Sequence, residues 1–212
     1  MRTEGIAVGI ATAIVIVSSY GMRGTKWEEE EKPVIQPRPI TFGISWGVIF
    51  VLAIAYAVIA NNTTDSLARP TALSAYLFAA ALTTCAAWPV VRRSPRRALV
   101  VIATASVFAW AAMLTEQSKL TIYGAATQCL GSWLTVALLL SSILAGLKQL
   151  DTPNVLVSLV TLLSVLAVGV RAPFFTLPLA LACISQTNFS AKEGFGTLTA
   201  CVGAIVALMT YT

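Results

Sequence analysis

The sequence predicts an all-α fold, a polytopic bundle of membrane-spanning helices, and three observations carry that reading. Of 212 residues, 57% are hydrophobic and 11% are charged, against about 25% charged in an average soluble domain. The apolar residues fall in long blocks without a charge inside them. The lysines and arginines lie beside those blocks rather than within them. A soluble globule has too little polar surface to cover so much apolar side chain. Lipid instead demands segments that satisfy every backbone amide internally, which helices do.

The elements follow in order. Ile6 to Tyr20 is read as the first helix, retained rather than cleaved as a leader. A polar stretch follows, Arg23 to Ile40, with four consecutive glutamates (Glu28 to Glu31) and three prolines. The second helix is Phe42 to Ile59 and the third is Leu73 to Val91, stopped by the Arg92-Arg93-Ser94-Pro95-Arg96-Arg97 cluster. The fourth runs Ala98 to Leu114 and the fifth Tyr123 to Leu147. Beyond Asp151-Thr152-Pro153 come Val155 to Val170, Phe174 to Ser185 and Gly194 to Tyr211. The middle one of these would make only about 18 Å of helix against a hydrocarbon core of ~30 Å, a short tilted span or a re-entrant piece. Residues 1–148 therefore predict a five-helix bundle, and residues 149–212 an extension of two or three more spans. Eight spans are expected, with seven as the alternative.

The basic residues orient the chain. With eight spans, Arg2, Arg69, Lys119 and Arg171 share one side; Arg23, Lys26, Lys32, Arg38, Arg92, Arg93, Arg96, Arg97, Lys148 and Lys192 share the other. The richer side should face the cytoplasm, stroma or matrix. That places the loops 21–40 and 92–97 inside and the N-terminus opposite. The net charge of +5 is thus a membrane signal, with lipid as the partner and not nucleic acid.

Several chemistries lack their residues. There is no histidine, the commonest general base and metal ligand. Cys85, Cys129, Cys183 and Cys201 stand singly inside apolar blocks with no CxxC pair, which reads as small buried hydrophobes. Four consecutive glutamates point in four directions on a helix and cannot converge on one ion. Glu116, Asp151 and Glu193 fall at predicted helix ends, leaving no mid-membrane carboxylate for a proton relay. The sequence offers no catalytic or metal-binding constellation, and an enzyme is not expected. Gly5 with Gly9 and Gly43 with Gly47, at spacing four, predict close helix approach.

One region carries a more specific signal. Pro33, Pro37 and Pro39 hold the segment after the first helix out of α conformation. A stiff loop of this kind can cover a gap between helices. Trp27, Phe42, Trp46 and Trp133 offer flat apolar walls for a planar ligand, and Lys32 and Arg38 at the rim can pair with carboxylates.

These residues also resemble those of the translocator-protein (TspO/MBR, tryptophan-rich sensory protein) family. Its signature places a tryptophan ahead of Lys-Pro-x-x-x-Pro-Pro-x-x-x-Phe-x-x-Val-Trp, leading into the second of five helices. Trp27, Lys32, Pro33, Pro37, Phe42 and Trp46 keep that order, and the spacings from Lys32 to Phe42 and to Trp46 match. Trp88 before the arginine turn, Trp110, and Trp133 with Ala137 in the fifth helix fall in family order. Arg38 replaces the second proline of the pair, Cys85 stands at the family's helix-three asparagine, and Cys129-Leu130 replaces its Pro-Tyr. Ser141 replaces a late asparagine, and Val90-Val91 replaces a Phe-Phe pair. The resemblance spans about residues 1–148. It implies a ligand site at Trp27, Lys32, Pro37, Phe42, Trp46, Trp133 and Ala137 for a porphyrin, bilin or sterol. The missing asparagines and Pro-Tyr imply weaker binding than in the family.

Two functional readings follow: a hydrophobic-ligand-binding membrane protein, alone or as a homodimer, and a non-catalytic accessory subunit of a larger respiratory or photosynthetic membrane complex.

Overall fold

In the computed structural model, the described residues are 3–20, 39–63, 69–91, 95–117, 119–146, 152–184 and 191–210, and among them every regular element is helical. The elements are α1 (Thr3–Tyr20), α2 (Pro39–Asn62), α3 (Ala72–Cys85), α4 (Trp88–Val91), α5 (Pro95–Thr115), α6 (Ile122–Gly146), α7 (Thr152–Gly169), a 3-10 turn (Pro173–Phe175), α8 (Thr176–Ile184) and α9 (Ala191–Met209). Pro39 and Pro95 each stand at a first helical position, where a missing N–H costs nothing.

The span expected as one helix from Leu73 to Val91 is interrupted. Pro89 has no N–H to donate toward Cys85, and in a continuous helix its ring would clash with the Cys85 carbonyl. The backbone tightens there instead: Ala86 N donates to Thr83 O and Ala87 N to Thr84 O, both at 3.1 Å, before α4 resumes.

Five helices close a ring. α1 packs against α2 and α3, α3 against α5, α5 against α6, and α6 back against α2. Small side chains permit this: Ala53, Ala57, Ala60, Ala75, Ala79, Ala105, Ala109 and Ala126 line the shared core around Tyr56, Phe78, Leu82 and Leu130. Several of its hydroxyls close within their own helices, as Thr12 Oγ1 to Val8 O and Ser106 Oγ to Ile102 O, both 2.7 Å. That arrangement is suited to an interior without water.

α7, α8 and α9 pack together around a second core of Val160, Leu163, Ala167, Phe175, Leu179 and Ala200, which takes in Met113 and Val136 from the ring. The 3-10 turn and α8 lie on α6. α8 has nine residues, roughly 13 Å of helix and less than half the hydrocarbon thickness. Arg171 ends α7 with φ 53°; Arg171 N donates to Val168 O and Ala172 N to Ala167 O at 2.8 Å. This closes a Schellman turn on a residue where glycine is usual, and it sends the chain back onto α6.

Outward faces are apolar: Val17, Val51, Ile54, Val100, Val107 and Val165 are all exposed, as lipid-facing side chains are. Three helical stretches are long and apolar enough to cross a bilayer, Gly43–Asn62, Ala72–Val91 and Arg96–Thr115. Thr3–Ser19, Ser158–Gly169 and Gly194–Met209 are shorter apolar stretches among the described residues. Of the two small-residue pairs, Gly5 and Gly9 do meet α2, where a Cβ would lie 2.7 Å from Asn61 Cγ and 3.7 Å from Ala57 Cβ. Gly43 and Gly47 do not: a Cβ on either would meet nothing within 4 Å. They sit on the outward stripe with Ile44, Val48 and Val51.

Gly203 is packed closely against α7, where a Cβ would stand 3.1 Å from Ser164 Cβ and 3.4 Å from Ser164 O. Gly203→Val should lower stability by ~1–3 kcal/mol through forced separation of α7 and α9. Gly47→Ala should leave it unchanged or raise it by up to about 1 kcal/mol. Thermal unfolding of both variants in mild detergent checks this; equal melting temperatures would contradict the close α7–α9 packing.

Candidate functional site

Two groups of side chains in the ring carry more chemistry than packing requires. The first is aromatic. Tyr56 near the end of α2 meets Tyr123 in the first turn of α6, edge to face at 4.7 Å, and lies over Phe78 at 5.3 Å. α2 runs toward this contact and α6 away from it, so the helices are antiparallel. Trp46 stands ten residues before Tyr56 and Trp133 ten residues after Tyr123, about 15 Å along each axis at 1.5 Å per residue. Both tryptophans therefore lie a similar distance along their helices from the Tyr56–Tyr123 contact. Trp133 is 7% exposed within the ring core. Trp46 is half-buried beside that core and tilts against Phe50, ring centroids 5.4 Å apart. Ala137 follows Trp133 by one turn and is half-buried.

The remaining residues expected at this site, Trp27, Lys32 and Pro37, lie outside the described residues, as does Arg38. Phe42 belongs to α2, but its side chain lies outside the described set. Of the expected site residues, Trp46 on α2 and Trp133 and Ala137 on α6 are thus the ones whose side chains are described.

The second group is polar and lies at the opposite end of the seam. Glu116 is 1% exposed at the end of α5, and Tyr56, Ser74 and Tyr123 are equally enclosed. Ser74 Oγ donates to Ala112 O at 3.0 Å, joining α3 to α5. The Tyr56 hydroxyl lies beside Ser74 and within the field of Glu116, but closes no hydrogen bond of acceptable geometry. Lys119 Nζ donates to Met113 O, which caps the last turn of α5 with a cation at its negative end. Burial holds the Lys119 ammonium below the usual lysine range, and the Glu116 carboxylate partly offsets this.

Gln128 ties this end to the C-terminal helices. It is fully buried; its Nε2 donates to Lys119 O and its Oε1 accepts from Phe174 N, both at 2.9 Å. Cys129 Sγ donates to Phe174 O at 3.6 Å. On the α5 side, Trp110 meets Phe175 edge to face at 5.2 Å and donates through Nε1 to Thr135 Oγ1 at 2.7 Å.

Sequence reasoning placed Glu116 at a helix end, and it is there, but enclosed rather than solvated. It read past Ser74, Tyr56 and Gln128 altogether. The available signal was Glu116 and Lys119 three residues apart in a short connection between two apolar helices, with Tyr123 next. Position along the chain does not tell which neighbours fold over such a connection.

A closed ring of apolar helices, lipid-facing outside and holding aromatic and polar groups within, defines a polytopic helical membrane protein. The chain belongs to the TspO/MBR family, whose model matches residues 5–145. α1 to α6 fall almost wholly inside that match, while α7, the 3-10 turn, α8 and α9 lie beyond it. No curated protein and no solved structure is matched by the chain.

The polar end makes a direct test of its hydrogen bonding. Ser74→Ala should cost about 1 kcal/mol, the net worth of one buried hydrogen bond. Tyr56→Phe, which keeps the ring contacts, should change stability by less than ~0.5 kcal/mol, since it removes no closed bond. Chemical denaturation of both variants in the same detergent distinguishes them. A larger loss for Tyr56→Phe would show that its hydroxyl is bonded after all.

Proposed function

We propose that this chain binds a hydrophobic planar ligand, of tetrapyrrole (porphyrin or bilin) or sterol type, in the α2–α6 seam of the bundle formed by residues 1–148, and that residues 149–212 are an added extension. What supports the reading is that Trp46 and Trp133 each lie ten residues from the Tyr56–Tyr123 contact, on two helices that pack together. Indole faces give a flat ligand a large apolar contact at little entropic cost. Trp27 and Phe42 complete the walls in this reading, Pro37 stiffens the cover, and Lys32 with Arg38 pairs ligand carboxylates at the rim. Ala137, one turn past Trp133, leaves room where a larger side chain would intrude. Membership of the TspO/MBR family supports the hydrophobic ligand class. The protein acts by binding rather than catalysis, with the loops 21–40 and 92–97 on the cytoplasmic, stromal or matrix side.

Protoporphyrin should quench tryptophan fluorescence saturably in detergent-solubilised protein. Trp133→Ala should weaken binding by ~1–3 kcal/mol, about 5- to 150-fold in Kd. Quenching that never saturates, or that is indifferent to both Trp133→Ala and Trp46→Ala, would refute the site. Loss of the purified chain unless neighbouring subunits accompany it would favour the accessory-subunit reading instead.

A further inference from the structure

We propose that the 3-10 turn Pro173–Phe175 is the outer wall of the α2–α6 seam and that Phe174 governs access to it. Gln128 Oε1 on α6 accepts the Phe174 N–H at 2.9 Å. From there the two phenylalanines part: Phe175 enters the core of the C-terminal helices, whereas Phe174 packs against the core of the ring. On α6, Phe174 covers the Cys129 side, where the thiol reaches its carbonyl. Trp133 follows Cys129 by four residues and shares its face. α8, which continues directly from the turn, also touches α2. The seam holding Trp46 and Trp133 is thus closed laterally by a segment that lies outside the family match at residues 5–145. Arg171 holds the turn in place from a left-handed conformation that non-glycine residues seldom adopt. A planar ligand approaching this face of α6 through the membrane must therefore pass Phe174, and broad ligands are hindered by its ring. What enters rests on the ligand-site reading above; the wall itself does not.

Thiol chemistry reads the wall without any ligand. Cys201 is exposed, whereas Cys85, Cys129 and Cys183 are buried. In Cys201→Ser protein in mild detergent, a small membrane-permeant maleimide should label slowly. Phe174→Ala should speed labelling of Cys129 about tenfold, as an enclosed thiol becomes accessible, with Cys85 on α3 unchanged. Phe174→Leu, which keeps most of the volume, should stay near wild type. In parallel, the affinity for a broad meso-tetraaryl porphyrin relative to protoporphyrin should rise about tenfold in Phe174→Ala. Unchanged Cys129 labelling in Phe174→Ala overturns the proposal. So does an equal rise at Cys85 in both variants, because Phe174 would then maintain the whole fold rather than cover one face. Raised Cys129 labelling in a protein that binds no porphyrin would remove the ligand reading and leave the wall standing.

Discussion

Gln128 holds two backbone groups that would otherwise be stranded without water, and much of the architecture depends on that amide. Lys119 O belongs to the connection between α5 and α6, and Phe174 N to the turn that returns from α7. Each group buried without a partner would cost ~1–3 kcal/mol. The amide has one acceptor and two donor hydrogens, so a single side chain can serve both elements at once. Because α6 is enclosed continuously from Tyr123 to Val136, no lipid or solvent face exists there to substitute. The position of the C-terminal helices on the ring therefore follows from this bridge and from the two phenylalanines beside it.

The ring itself shows how a helical bundle is held when lipid is the solvent. Apolar burial supplies little drive between helices, since lipid tails are as apolar as leucine. Close approach supplies it instead, and the interface is accordingly rich in alanine. The serines and threonines bond back to their own helices or, like Ser74, across to a neighbour. Large aromatic residues in the core stand at two levels: Tyr56, Phe78 and Tyr123 at the polar end, Trp133 toward the other. The buried Glu116 stands at the polar end with Lys119 close by, in surroundings where an unmatched charge would be costly.

The comparison of sequence with structure is instructive at particular elements. The helix cores were legible because hydropathy and charge spacing depend on residue type alone. The break at Ala86–Ala87 was also written in the sequence, as Pro89, but was outweighed by the apolar run around it. Gly43 and Gly47 looked like a packing face and are outward-facing, whereas Gly5 and Gly9 do pack. Identical spacing gave opposite outcomes because the rotation of a helix about its axis is set by its neighbours. Trp46 and Trp133 were grouped in sequence by their flat apolar rings and by family resemblance, and the Tyr56–Tyr123 contact supplies the register between their two helices.

By itself, the sequence determined that this chain is a helical membrane protein of the TspO/MBR type, and where its helices begin and end to within a few residues. Those properties follow from local composition and from motif spacing within one segment. Tertiary structure alone decided that Glu116 is enclosed, that Gln128 faces the C-terminal turn, and that Phe174 and Phe175 part into two different cores. Each of these depends on contacts between residues as much as 46 positions apart. Such contacts are chosen by how helices rotate and pack to satisfy every buried polar group at once, and no local pattern encodes that choice.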